Sequence, residues 1–119
     1  YSPKGDNGLP KPLFDPVTGK IDRKVAEHWK KYDFKLYAQK NWTELGPKLK
    51  GKIYVWMGDM DHFYLNTGTR EFDSFLKTTK NPTSDAIIEY SALERRCSQY
   101  SDQKVLLQIQ ERIKSINKK

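Results

Sequence analysis

The sequence predicts an α/β fold: two parallel strands and about three helices, with a sheet completed by further strands from elsewhere. Three observations predict it. First, the hydrophobic pattern runs helix, strand, helix, strand, helix, and a strand-helix-strand order implies a parallel pair joined by a crossover. Second, Ile53-Tyr54-Val55-Trp56-Met57 carries no charge and is apolar on both faces, as in a strand covered on both sides. Third, two such strands do not make a stable open sheet by themselves. Their neighbours are expected from a missing N-terminal portion or from a homo-oligomer partner.

Residues 1–20 hold four of the six prolines, and Leu9-Pro10-Lys11-Pro12-Leu13-Phe14-Asp15-Pro16 is turn and extended material. The segment reads either as a Pro/Gly-rich strap anchored by Leu13 and Phe14 or as a flexible linker. Asp22 caps a helix expected over 22–40, with Val25, Trp29, Tyr32 and Leu36 on one face. Asn41-Trp42-Thr43-Glu44-Leu45-Gly46-Pro47 is expected to break it. The first strand covers 52–57 and stops at Gly58. A second helix is expected over 67–79, capped by Asn66 or Thr67, with Phe72, Phe75 and Leu76 as its apolar stripe. Asn81-Pro82-Thr83-Ser84-Asp85 is a loop, and Ala86-Ile87-Ile88-Glu89-Tyr90 the second strand. A last helix starts near Asp102, capped by Ser101, with Val105, Leu106, Ile109, Ile113 and Ile116 directed inward.

Composition sets bounds on partners. The 119 residues suit one domain or part of one. Three Trp, seven Tyr and five Phe argue against disorder. The net charge of +7 would suit an acidic partner. The Lys and Arg residues, however, are spread from Lys4 to Lys119, densest at Lys48-Leu49-Lys50-Gly51-Lys52 and in the tail, so they read mainly as solvated faces rather than a nucleic-acid site. Trp29, Tyr32, Tyr54 and Trp56 lie in regular apolar patterns, which reads against base stacking. A single cysteine, Cys97, excludes an intrachain disulfide. No apolar run approaches the ~20 residues of a membrane span. The start, Tyr1-Ser2-Pro3-Lys4-Gly5, has no signal peptide and reads as a processed or excised segment. That leaves the compartment open, with a secreted or periplasmic location compatible.

The segment that carries chemistry is Gly58-Asp59-Met60-Asp61-His62, at the C-terminal end of the first strand. In open α/β sheets that edge is where ligands bind and catalytic groups collect. A carboxylate held there can accept a hydrogen bond from an imidazole and orient it. The competing view of Asp59 and Asp61 is that they cap turns. Other constellations fall away. A calcium loop starting at Asp59 would put Phe63, Tyr64 and Arg70 at its fifth, sixth and twelfth positions. One Cys and two His offer no zinc spacing. No phosphate-binding glycine loop occurs, so no cofactor is expected. His62 follows Asp61 directly, and neighbours in an extended loop point apart. His28 lies on a charged helix. Cys97 follows Arg95 and Arg96, which favour a thiolate, although an inert thiol explains it as well.

Residues 41–61, from Asn41-Trp42-Thr43-Glu44 through Ile53-Tyr54-Val55-Trp56-Met57-Gly58-Asp59-Met60-Asp61, followed by Phe63-Tyr64-Leu65-Asn66, resemble the C-terminal region of bacterial esterases of the α/β-hydrolase superfamily. The likeness covers roughly 12–116. It implies that 21–119 is the C-terminal portion of a hydrolase-like domain and that Asp61 stands at the acidic position of a catalytic triad. Trp42, Phe63 and Tyr64, which flank the strand ends, are candidates for the wall of a substrate site. The family's histidine follows the last strand, but Ser91-Ala92-Leu93-Glu94-Arg95-Arg96-Cys97-Ser98-Gln99-Tyr100 contains none. Arg96 stands about where it is expected, and an arginine cannot act as a general base. Nor does a Gly-x-Ser-x-Gly elbow occur anywhere in the chain. The expectation is therefore part of a serine esterase that acts on an ester substrate only when complete. The alternatives are a non-catalytic module that self-associates or a basic domain that binds polyanions.

Overall fold

The computed structural model describes residues 1–97 and 101–117, the side chain of Ile116 excepted. The expected inward placement of Ile116, the last three residues of the stretch 91–100 and the basic end Lys118-Lys119 lie outside the described residues. The described chain carries four α-helices and a two-stranded parallel sheet, so the α/β class is as expected. It divides into two compact units, Tyr1–Asn41 and Trp42–Lys119.

In the first unit the proline-rich residues form two short antiparallel bridges, Lys4 with Pro10 and Phe14 with Ile21. Asp15 closes the second turn. Its Oδ1 accepts from the Val17 and Thr18 N–H groups at 2.9 and 2.7 Å and from the Thr18 hydroxyl at 3.0 Å. These bonds, that of the Thr18 amide largest, hold its carboxyl below the usual range. Asp22 caps helix α1 (Arg23–Trp29) as expected, accepting from the Lys24 and Val25 amides at 2.8 and 3.2 Å. Val25 is the most buried side chain described, 1 % exposed. The Trp29 indole N–H donates to Ser2 Oγ at 2.9 Å, and the Tyr1 ring meets Tyr32 edge-on at 4.9 Å. The first twenty residues thus belong to the same compact unit as α1. Leu13 is half-buried there, whereas Phe14 is exposed.

The helix expected over 22–40 is two helices. A 3-10 turn, Lys30–Tyr32, follows α1, and Asp33 is extended, with φ −79° and ψ 108°. The Asp33 side chain accepts from the Leu36 N–H at 2.9 Å and so opens a new helix, α2 (Phe34–Leu49). Asp competes for backbone donors and favours caps over helix interiors, which is why the periodic stripe breaks at this residue. Trp29 and Tyr32 are accordingly exposed at 40 and 47 %. The expected break over 41–47 is instead a kink at Asn41 (φ −122°, ψ 19°), whose Nδ2 donates to the Tyr37 carbonyl at 2.8 Å. Helix then resumes and runs through Pro47 to Leu49. Gly46 is there for space. A Cβ on it would lie 2.7 Å from the Pro82 ring and 2.9 Å from the Trp42 ring.

In the second unit β1 (Tyr54–Gly58) pairs parallel with β2 (Ile87–Ser91), Tyr54 opposite Ile87 and Gly58 opposite Ser91. Between them runs α3 (Leu65–Thr78). It starts two residues before the expected position, because the capping oxygen comes from Asp61 rather than from Asn66 or Thr67. The pleat puts Val55, Met57, Ile88 and Tyr90 on one face and Tyr54, Trp56, Ile87 and Glu89 on the other. Helix α3 lies on the first face, where Met57 is 5 % and Leu76 2 % exposed. Helix α4 (Asp102–Asn117) begins at the expected cap, with Ser101 Oγ accepting from the Lys104 amide at 3.2 Å. Its orientation differs from expectation. Val105, Gln108 and Arg112 are half-buried, whereas Leu106, Ile109 and Ile113 are exposed at 65, 50 and 53 %. Two polar ties account for this. Lys104 pairs with Glu89 at 3.1 Å, and Arg112 reaches Asp85 at 2.5 Å and the Gly51 carbonyl at 3.3 Å. Strand axes about 5 Å apart leave too narrow a sheet to cover the remaining apolar stripe.

Candidate functional site

The turn after β1 and the loop after β2 are joined backbone to backbone. The Gly58 N–H donates to the Arg96 carbonyl at 3.0 Å, Asp59 to Ser91 at 2.9 Å, Met60 to Glu94 at 3.0 Å and His62 to Arg95 at 3.2 Å. Parallel pairing delivers both strand ends to the same edge, and these bonds stitch the connections that leave it. Asp61 and the backbone of Arg96 therefore belong to one cross-linked turn, whereas the Arg96 side chain is exposed.

Asp61 is 3 % exposed. Its Oδ2 accepts from the Phe63 and Leu65 N–H groups at 3.2 and 2.9 Å. Leu65 opens α3, so the carboxylate meets otherwise orphaned donors at a helix N-terminus, where negative charge is favoured. Its other oxygen, Oδ1, is buried and has no hydrogen-bond partner among the described residues. A buried carboxylate oxygen without a donor is costly. Asp61 thus caps the turn through Oδ2.

The turn is tight. The Tyr64 N–H donates back to the Asp61 carbonyl at 3.0 Å, and Tyr64 itself is left-handed, φ 60° and ψ 22°. A bulky residue in that region carries strain, which the surrounding bonds hold in place. Its ring is 81 % exposed, Phe63 is 65 % and Met60 52 %. All three are near neighbours of the buried carboxylate along the chain. His62 is turned away from Asp61, its Nδ1 2.8 Å from the Arg95 carbonyl and its ring 4.0 Å from that of Phe63.

Trp42 is not part of this edge. Its ring stands edge-on to Phe75 at 5.5 Å and its indole N–H donates to the Pro82 carbonyl at 2.8 Å, where the chain approaches β2 rather than where it leaves. The structure brings Asp61, Phe63, Tyr64 and the Arg96 backbone together and leaves Trp42 at the opposite end.

Three residues of the site gave no sequence signal of a role there. Asn66 Nδ2 donates to the Asp59 carbonyl at 2.7 Å. Arg70 pairs with the Asp59 carboxylate. The Arg70 guanidinium also lies 4.3 Å over the Tyr90 ring. Burial, and then the charge of Asp73, push the Tyr90 hydroxyl above its usual pKa. The i to i+4 spacing of Asn66 and Arg70 along α3 is the only feature of this cluster that sequence could have offered.

Cys97 is free and exposed. No group of three or more His, Cys, Asp or Glu among the described residues is arranged to hold a metal ion, and no helix among them is long and apolar enough to cross a membrane. Compared with models of protein families, with curated proteins and with solved structures, the chain has no match.

Proposed function

We propose that this chain is the C-terminal part of a serine esterase of the α/β-hydrolase type, in which Asp61 is the acid that orients a catalytic histidine. The observation that carries the reading is the state of Asp61: buried, fixed through Oδ2, with Oδ1 lacking a donor among the described residues. An orienting acid must hold still and present one oxygen to an imidazole N–H; Oδ2 is held by the turn, and an imidazole from outside the chain reaches the buried Oδ1 once the residues that cover it give way. Its location after β1, tied to the loop that follows β2, supports the same assignment. The exposed Phe63 and Tyr64 are suited to contact an ester's apolar part.

The sequence contains no serine elbow and no histidine after β2. Arg96 stands about in the histidine's place, and an arginine cannot act as the general base. By itself the chain is therefore expected to be inactive; an upstream portion would supply the nucleophile, but it does not account for the missing histidine, whose family position lies within this chain. The reading frame upstream of Tyr1 tests this: a Gly-x-Ser-x-Gly strand-turn-helix element is expected there, and its absence would overturn the assignment. An assay of the chain with p-nitrophenyl esters should give no turnover above background. Turnover abolished by Asp61→Ala would refute the inactivity.

A second reading, a non-catalytic module that self-associates, is favoured by one observation, the exposed Leu106, Ile109 and Ile113 on α4. A monodisperse dimer in light scattering supports it, and a monomer at high concentration removes it.

A further inference from the structure

We propose that Arg70 is a positioning residue for Asp61, acting through Asp59 and the Tyr90 ring. The inference rests on the reading of Asp61 as an orienting acid and adds the device that holds it.

The turn between β1 and α3 is fastened to the helix at two points. At one, Asp61 Oδ2 accepts from the Leu65 N–H at the first residue of α3, at 2.9 Å. At the other, Asp59 is gripped from further along the same helix: its carbonyl by Asn66 Nδ2 at 2.7 Å and its carboxylate by Arg70. Asp59 and Asp61 flank a single residue, Met60, so a shift of Asp59 carries Asp61 with it. A purely local ion pair, with Arg70 54 % and Asp59 33 % exposed, would be a weak anchor. Arg70 is steadied from beneath, because its guanidinium lies over the Tyr90 ring at 4.3 Å. Tyr90 belongs to β2, opposite Met57 of β1. A planar guanidinium can do both at once, presenting its edge to a carboxylate and its face to an aromatic ring, which an ammonium cannot. Arg70 thereby ties α3, the acid-bearing turn and β2 together, and its removal frees the turn without opening the sheet.

The test is amide hydrogen exchange, read by NMR on the whole chain, in Arg70→Leu and Arg70→Lys. In Arg70→Leu the Leu65 and Phe63 amides, which report the Asp61 bonds, should exchange about tenfold faster, the scale of one partly exposed ion pair plus one cation–π contact. The Ile87 amide, bonded to the Ile53 carbonyl at 3.0 Å, should keep its rate and so report an intact sheet. Arg70→Lys keeps the charge and loses the planar stack, so it should restore protection only in part. Unchanged Leu65 and Phe63 exchange in Arg70→Leu overturns the proposal, as does an equal acceleration at Ile87, which would mean a general loss of stability. If Arg70→Leu fails to fold, full protection of Leu65 in Arg70→Lys removes the role of the stack. None of these readouts depends on ester chemistry. Absence of a serine elbow upstream would end the esterase reading and leave the clamp standing, whereas unaffected exchange would end the clamp alone.

Discussion

Gly58 passes directly beneath the loop that follows β2, close enough that a Cβ on it would lie 2.3 Å from the Glu94 carbonyl oxygen and 2.5 Å from that of Arg96. Both obstacles are backbone atoms already engaged by the Met60 and Gly58 N–H groups. The residue that ends the strand is therefore also the one that lets the two connections close on each other.

Gly58→Ala should destabilise the chain by about 1–3 kcal/mol, the range for forcing atoms into filled space. The obstructing carbonyls cannot turn aside as a flexible side chain would. Urea unfolding followed by tryptophan fluorescence checks this, and wild-type stability would mean that the two loops are not in contact.

Asp61→Ala strips the Phe63 and Leu65 amides of their acceptor in two part-buried hydrogen bonds. The expected loss is about 1–3 kcal/mol, that of donors left unpaired. Asp61→Asn keeps an acceptor oxygen and should cost less. Equal losses in the two variants, again by urea unfolding, would mean that Oδ2 does not carry the turn.

Asp85 gives the acid limb a definite sign. Burial raises its carboxyl pKa, but the Gly51 N–H and the Arg112 guanidinium outweigh this, and the net shift is downward from 3.8. A depressed folded value means that the stabilisation is present above the unfolded value and is lost as pH falls through the folded one. Melting temperature should therefore fall on acidification below about pH 4, and the fall should be shallower in Asp85→Asn. An unchanged acid limb in that variant would show that the Arg112 tie does not hold α4 in solution.

Tyr90 gives the alkaline limb. Its raised pKa means that the unfolded chain releases this proton first, so stability should decline as pH rises through 10.0. Tyr90→Phe should flatten that decline. It also removes a buried hydroxyl that faces the Asp73 carboxylate, while keeping the ring beneath Arg70. A variant clearly less stable at neutral pH would point to a bond made by that hydroxyl.

The exposed face of α4 separates the assembly reading from the esterase reading. If that stripe mediates self-association, Leu106→Lys with Ile109→Lys should convert a dimer to a monomer in light scattering without lowering helix content. A dimer that survives both changes would place the contact elsewhere.

The sequence by itself determined what depends on neighbours along the chain. The uncharged run at Ile53 to Met57 was legible as a strand, Ser101 and Asp22 as caps, and the parallel pair followed from the order of elements. Gly58 and Asp61 marked the chemical end of the strand, because a stop after an apolar strand is a local event. Tertiary structure decided the rest. Asp33 split a helix whose stripe reads as continuous, since the choice between a stripe and a cap depends on which face finds a partner. Helix α4 turned Val105, Gln108 and Arg112 inward because ties to Glu89, Asp85 and Gly51, distant in sequence, outweighed its periodicity. Trp42, adjacent in pattern to the first strand, went to the end of the sheet away from Asp61, held by Phe75 and Pro82. The Asp61 bonds to the Phe63 and Leu65 amides and the contacts of Arg70 with Asp59 and the Tyr90 ring arise only when α3 folds back on the strand end, because hydrogen bonds and ring contacts depend on separation in space, which local patterning does not encode.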